Sequence, residues 1–95
     1  MYEMIKTFNH KGLELFFRTG SKAGIQPIHA PKLRLLLTAL DNAKQVIDMN
    51  APSWRLHSLS GDLEGYYSVT VNGNWRLIFS FDGENAYLVD YLDYH

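Results

Sequence analysis

Residues 66–81 read Tyr66-Tyr67-Ser68-Val69-Thr70-Val71-Asn72-Gly73-Asn74-Trp75-Arg76-Leu77-Ile78-Phe79-Ser80-Phe81. Tyr67, Val69 and Val71 alternate with Tyr66, Ser68 and Thr70. Trp75, Leu77, Phe79 and Phe81 alternate with Arg76, Ile78 and Ser80. Period-two alternation predicts two strands, each with one buried face. Asn72-Gly73 marks a hairpin turn, because both residues tolerate positive φ. A two-residue loop would put Arg76 on the apolar face. A three-residue loop, Asn72-Gly73-Asn74, sets Val71 opposite Trp75 and Val69 opposite Leu77. A slip of one residue turns every side chain over, so the three-residue loop is the expectation. Arg76 then shares the polar face with Ser68, Thr70 and Ser80. A cation among small polar side chains is a candidate anion site. The plainer alternative is an arginine facing water or a carboxylate, since sheets commonly leave one face solvated.

Upstream, residues 5–8 (Ile-Lys-Thr-Phe) predict a short first strand. Residues 10–19 predict a helix with Leu13, Phe16 and Phe17 on one stripe, ended by Gly20. Pro31 suits the first position of a second helix, because its missing N–H would be unpaired there anyway. In that helix Leu33, Leu36, Leu37 and Leu40 form an i, i+3, i+4, i+7 stripe, extended by Ala39 and Ala43. Residues 46–49 make a final turn or a packed loop. Residues 54–59 are strand-like, and residues 60–65, with two glycines and two acids, form a loop. Asp82-Gly83-Glu84-Asn85 is the next turn. Residues 86–93 are the last strand, with Tyr87, Val89 and Tyr91 alternating. Short turns imply antiparallel neighbours. The order strand, helix, helix, then four strands predicts an α+β fold, with two N-terminal helices packed on one face of a mostly antiparallel sheet and the other face open.

At 95 residues the chain reads as a single domain, 1–95. No apolar run is long enough to span a membrane, and the N-terminus lacks a secretory pattern. There is no cysteine, hence no disulfide framework and no thiolate zinc site. A cytoplasmic protein is the simplest fit. The formal net charge of -1 conceals an asymmetry. Eight of the nine lysines and arginines lie in residues 1–55, and Arg76 is the only one after them. Most acids fall in the second half. Such a split is compatible with a polyanion partner for the basic half, or with solubilising helix faces.

Chemistry-bearing residues are few. His10 and His29 stand at helix starts and read as surface residues. His57 lies in a strand. Asp93-Tyr94-His95 puts three functional groups at the chain end, where the preceding strand can tie them down. No HExxH pair, Gly-x-Ser-x-Gly elbow, P-loop or dinucleotide glycine pattern occurs. Neither a metal nor an organic cofactor is expected. What remains is an acid–base set beside a cation: His57, Asp93, Tyr94, His95 and Arg76. Metal-free RNA cleavage uses such groups. A base takes the 2′-OH proton, an acid protonates the leaving 5′-oxygen, and a cation stabilises the crowded phosphorane. Aromatic rings stack unpaired bases.

The segments at residues 5–8, Lys11-Gly12-Leu13, Arg55-Leu56-His57-Ser58-Leu59-Ser60-Gly61-Asp62, residues 68–79 and terminal Asp93-Tyr94-His95 together resemble the HigB-type toxins of the RelE/ParE superfamily. The resemblance spans essentially the whole chain. It implies a RelE-like β-α-α-β-β-β-β fold. It also implies a ribosome-dependent mRNA endonuclease that cuts in the A site by 2′-OH attack without metal. By the same resemblance, a HigA-type helix-turn-helix antitoxin neutralises it, and the complex binds operator DNA through the antitoxin. His57 and His95 would transfer protons, Asp93 would orient or accept one, and Tyr94 would stack or position a nucleotide. Arg76, Arg55 and Ser60 would lie along the phosphate path. The family loop commonly reads His-Pro-Leu-Lys-Gly-Asp, so Ser60 stands where a lysine is usual. Two rival functions share this fold: a ParE-like gyrase inhibitor, and a weakened toxin that acts mainly as co-repressor with its antitoxin.

Overall fold

A computed structural model of the chain describes residues 4–93. The hairpin is its centre. Strand β2 spans Tyr66–Asn72 and β3 spans Trp75–Asp82. Val69 faces Leu77, as the side-chain pattern requires, but Asn72 pairs directly with Trp75. The turn is therefore the pair Gly73-Asn74, not a three-residue loop. Val71 is the extra residue: Thr70 pairs with Arg76, and the register shifts before Asn72. A β-bulge at Val71 lets a two-residue turn keep the register that buries the apolar face. Gly73, at φ 55°, supplies the left-handed conformation that such a turn needs.

Strand β4, Asn85–Asp93, pairs antiparallel with β3, and the short β1, His57–Ser58, pairs with β2, giving the order β1-β2-β3-β4. The anticipated strand over residues 54–59 is thus reduced to two residues. Ser53 (φ 72°) and Arg55 (φ 55°) break the extended backbone ahead of it. Two outlying bonds continue the edge: Thr70 N–H donates to the Trp54 carbonyl (2.7 Å), and Leu59 N–H to the Tyr66 carbonyl (2.8 Å).

The expected first strand, residues 5–8, forms only two isolated parallel bridges on β4, Ile5 with Ala86 and Phe8 with Val89. The cause lies in β4. Ile78 pairs with Asp90 and Ser80 with Tyr87, so Phe79 alone faces both Leu88 and Val89. Leu88 sits at φ 55°, and its N–H is taken by the Thr7 hydroxyl at 2.8 Å. A side chain thus replaces the ladder where the bulge interrupts it.

Helix α1, Lys11–Thr19, begins one residue later than expected, because His10 is its N-cap and accepts the Leu13 N–H on Nδ1 at 3.0 Å. Gly20, at φ 82°, closes it. Helix α2, Ala30–Asn42, has Pro31 as its second residue. Leu33, Leu36, Leu37 and Leu40 of α2 are at most 1% exposed. Each contributes on the order of 2 kcal/mol by burial. They pack with Leu13, Phe16 and Met49 onto Val69, Leu77, Phe79 and Val89 of the sheet. Both helices cover this one face. No helix among the described residues is long and apolar enough to cross a membrane.

The loop between the helices lies against α1 at two glycines. A Cβ on Gly12 would collide with the Gly24 carbonyl and come within 2.7 Å of its Cα. Both atoms are backbone and cannot rotate away. Gly12→Ala is expected to cost about 1–3 kcal/mol by overpacking. Thermal denaturation should show a Tm lower by on the order of 10 °C; an unchanged Tm would mean that the loop is free to move.

Candidate active site

The sheet face away from the helices is not bare. Pairing puts His57, Ser68, Ile78 and Asp90 in one row across the four strands. Ser68 is 4% exposed and Ile78 only 1%. The expected open face is therefore a trough with a buried floor. The short Ser68 side chain sits lower than the rows on either side. One flanking row carries Thr70, Arg76 and Leu92, and the other Tyr66, Ser80 and Tyr87.

His57, Ser58, Leu59, Ser68 and Arg76 line one groove in this trough. His57 is exposed, and its Nδ1 lies 2.6 Å from the Arg55 carbonyl oxygen. A carbonyl only accepts, so the bond places a proton on Nδ1. Nε2 is then the atom that takes or gives a proton. The left-handed turn at Arg55 is what swings this carbonyl under the ring. Arg55 thus enters the site through its backbone, and its side chain is exposed at the approach.

Arg76 is half-buried, and its Nη1 donates to the carbonyls of Gly73 (2.7 Å) and Trp75 (3.2 Å). These bonds fix the guanidinium plane at the turn end of the groove. A planar fork held this way suits a phosphate, because its donors match two oxygens at once. Ser60 lies just outside the groove lining, exposed at the start of a short 3-10 turn, Gly61–Leu63. Asp93 ends β4 opposite Trp75, on the parity of Tyr91 and one residue beyond Leu92 of the Arg76 row. Tyr94 and His95 lie outside the described residues. Of the expected set, His57 and Arg76 are thus brought together, with the Arg55 backbone as their support.

Two expectations fail here. Tyr87, Val89 and Tyr91 do not share a face. The bulge at Leu88 resets the parity, so Tyr87 joins the trough while Val89 and Tyr91 stay in the core. His10 and His29 are not surface residues either. His10 is half-buried with its ring against Tyr91, and His29 is 4% exposed. Asp90, in the row of His57, was not among the sequence candidates. Only the bulged register reveals that position.

His29 shares a hydrogen bond with the Tyr91 hydroxyl, which also accepts the Gln26 N–H at 3.4 Å. Trp75 stacks on Tyr91 at 4.5 Å between ring centroids. This cluster anchors β4 two residues before the chain-terminal triplet. Burial pushes His29 below the ordinary imidazole value of 6.5 and, despite the Gln26 N–H, Tyr91 above the ordinary phenol value. The folded state therefore prefers neutral His29. Its contribution to stability is complete above pH 6.5, the unfolded value, and is lost as pH falls from there through the folded value. Urea denaturation should show stability falling as pH drops below about 6.5, less steeply in His29→Gln; identical slopes would assign the acid sensitivity elsewhere.

The family model described as the RelE-like toxin of the type II toxin–antitoxin system HigB matches residues 6–95. The chain is also similar to the protein named Endoribonuclease HigB of Proteus vulgaris, at 42% identity over 92 residues, covering 97% of this chain and 100% of that relative.

Proposed function

Because this chain belongs to the HigB family of RelE-like type II toxins, we propose that residues 1–95 form one endoribonuclease domain that cuts mRNA in the ribosomal A site. The observation that carries this reading is the shared groove of His57 and Arg76, with the His57 tautomer set by the Arg55 carbonyl. In the proposed reaction the RNA's own 2′-OH attacks the adjacent phosphorus and the 5′-oxygen leaves. His57, through Nε2, and His95 divide the two proton transfers. Arg76 stabilises charge on the phosphorane, which is the position where a fixed cation in a partly dry site acts most strongly. Asp93 orients or accepts a proton, and Tyr94 positions a nucleotide. No step calls on a metal ion.

A toxin of a type II system has a cognate antitoxin. In this reading it is a HigA-type helix-turn-helix protein that also carries the complex to operator DNA. The toxin works in the cytoplasm, where ribosome and mRNA are its partners.

The test is cleavage of a defined mRNA on programmed 70S ribosomes, beside ribosome-free RNA in EDTA. Cuts confined to the A-site codon support the reading. No cut in either arm, from a folded protein that binds its antitoxin, would turn it towards gyrase inhibition or co-repression. Ser60 offers a second check. It stands next to Leu59 of the groove wall, where the family commonly has lysine. Ser60→Lys is expected to raise the single-turnover rate, by up to about a hundredfold, as for other electrostatic donors. An unchanged rate would mean that the groove does not need a cation there.

A further inference from the structure

We propose that Tyr66 and Tyr87 form a base-stacking subsite for the nucleotide next to the one cleaved. This inference rests on the reading of the His57 groove as the RNA-cleaving site.

Both residues pair with Ser80, Tyr66 from β2 and Tyr87 from β4. Residues directly opposite in a ladder share a face, so both rings stand on the trough side. The small serine between them leaves a gap two strand spacings wide, about 10 Å between backbones. Both tyrosines are half-buried. Neither belongs to the core or to the partly buried hydrophobic residues packed against it, unlike neighbouring Tyr67 and Phe81. Among the described residues, the ring–ring contacts join other aromatics and leave these two out. Two large rings outside the core therefore stand on the same sheet face as His57, one row along from it.

Their spacing from the reacting row is informative. Ser80 lies two residues beyond Ile78 on β3, and Ile78 belongs to the row of His57. Two residues of strand measure about 7 Å, close to one nucleotide step in an extended RNA strand. Arg76 lies two residues from Ile78 in the opposite direction. Across the sheet Tyr66 stands one strand from His57 and Tyr87 three, so a strand whose phosphate contacts Arg76 and whose 2′-OH meets His57 brings its next base over Tyr66 first, with Tyr87 closing the far side of the Ser80 gap. Base–aromatic stacking tolerates any base, because every base has a π face. The pair therefore contributes grip and registration rather than strict sequence choice.

The experiment compares single-turnover cleavage of ribosome-bound mRNA by wild type, Tyr66→Ala and Tyr87→Ala, on RNA that is intact or abasic at each nucleotide flanking the cut. Alanine at either position should slow cutting of intact RNA by roughly tenfold, and phenylalanine should recover most of the loss. Removing the flanking base should slow wild type by at least that factor and abolish the difference from the alanine variants. The proposal is overturned if folded alanine variants cut intact RNA at the wild-type rate, or if they lose as much on abasic RNA. Should the alanine variants not fold, the abasic substrates decide with wild type alone: a flanking base whose removal leaves the rate unchanged overturns the subsite. Should wild type cut nothing, the cleavage reading fails separately. Fluorescence anisotropy of a short RNA blocked by a 2′-deoxy residue then still tests the tyrosines: intact RNA must bind wild type more tightly than abasic RNA does, and equal binding overturns the subsite.

Discussion

His57→Ala is expected to lower the rate of mRNA cleavage by about 10²–10⁴-fold, the usual share of a positioned acid–base group, while leaving the fold and antitoxin binding unchanged. The side chain is exposed and its described bond is to a neighbouring carbonyl. Its loss opens no cavity, so Tm should stay within a few degrees of wild type. What disappears is the only imidazole among the described residues of the groove lining. The prediction can be sharpened by a pH–rate profile. If His57 and His95 divide the transfers, each alanine variant should lose one limb of the profile. An enzyme that keeps wild-type rates without His57 would remove the acid–base role from this groove. A loss accompanied by unfolding would make the residue structural.

Arg76→Ala should lower the rate by about 10²–10³-fold, comparable with the loss of a fixed donor at a developing anion. Arg76→Lys is the more telling variant. Lysine keeps the charge and most of the stem but not the planar fork. Its rate should fall between those of alanine and wild type, with most of the loss in the chemical step rather than in binding. Arg76 also closes the turn through the Gly73 and Trp75 carbonyls. Alanine should therefore cost on the order of 1 kcal/mol of stability as well, visible as a small drop in Tm. If Lys and Ala variants are equally impaired, the fork geometry is what matters. If Lys equals wild type, the arginine supplies charge alone.

Both predictions turn on residues visible in the sequence, yet only part of their setting was. The hairpin, the leucine stripe of α2 and the Gly20 cap follow from local rules, because period, turn chemistry and capping act over a few residues. The side-chain register between β2 and β3 was legible too, since burying Leu77 and Phe79 leaves one alternative. The route to that register was not. A bulge at Val71 and a two-residue turn reach it as well as a longer loop does, and the difference depends on backbone twist that no residue identity states. Family resemblance singled out His57 and the terminal triplet as candidates, which composition and spacing alone left among several readings.

The amino-acid sequence by itself determined the fold class, the buried helix face and the list of candidate acid–base residues, because each depends on short-range pattern or on residue type. The tertiary structure alone decided the rest. The Arg55 carbonyl sets the His57 tautomer through a left-handed turn. The bulge at Leu88 moves Tyr87 and Asp90 onto the trough and breaks the first strand into two bridges. His29, placed by its sequence at a helix start, is buried because that start docks on Tyr91 and Trp75. In each case the controlling partner comes from a turn or strand whose backbone departs from its ideal form. Such departures are set by how whole elements pack, and local propensity does not encode them.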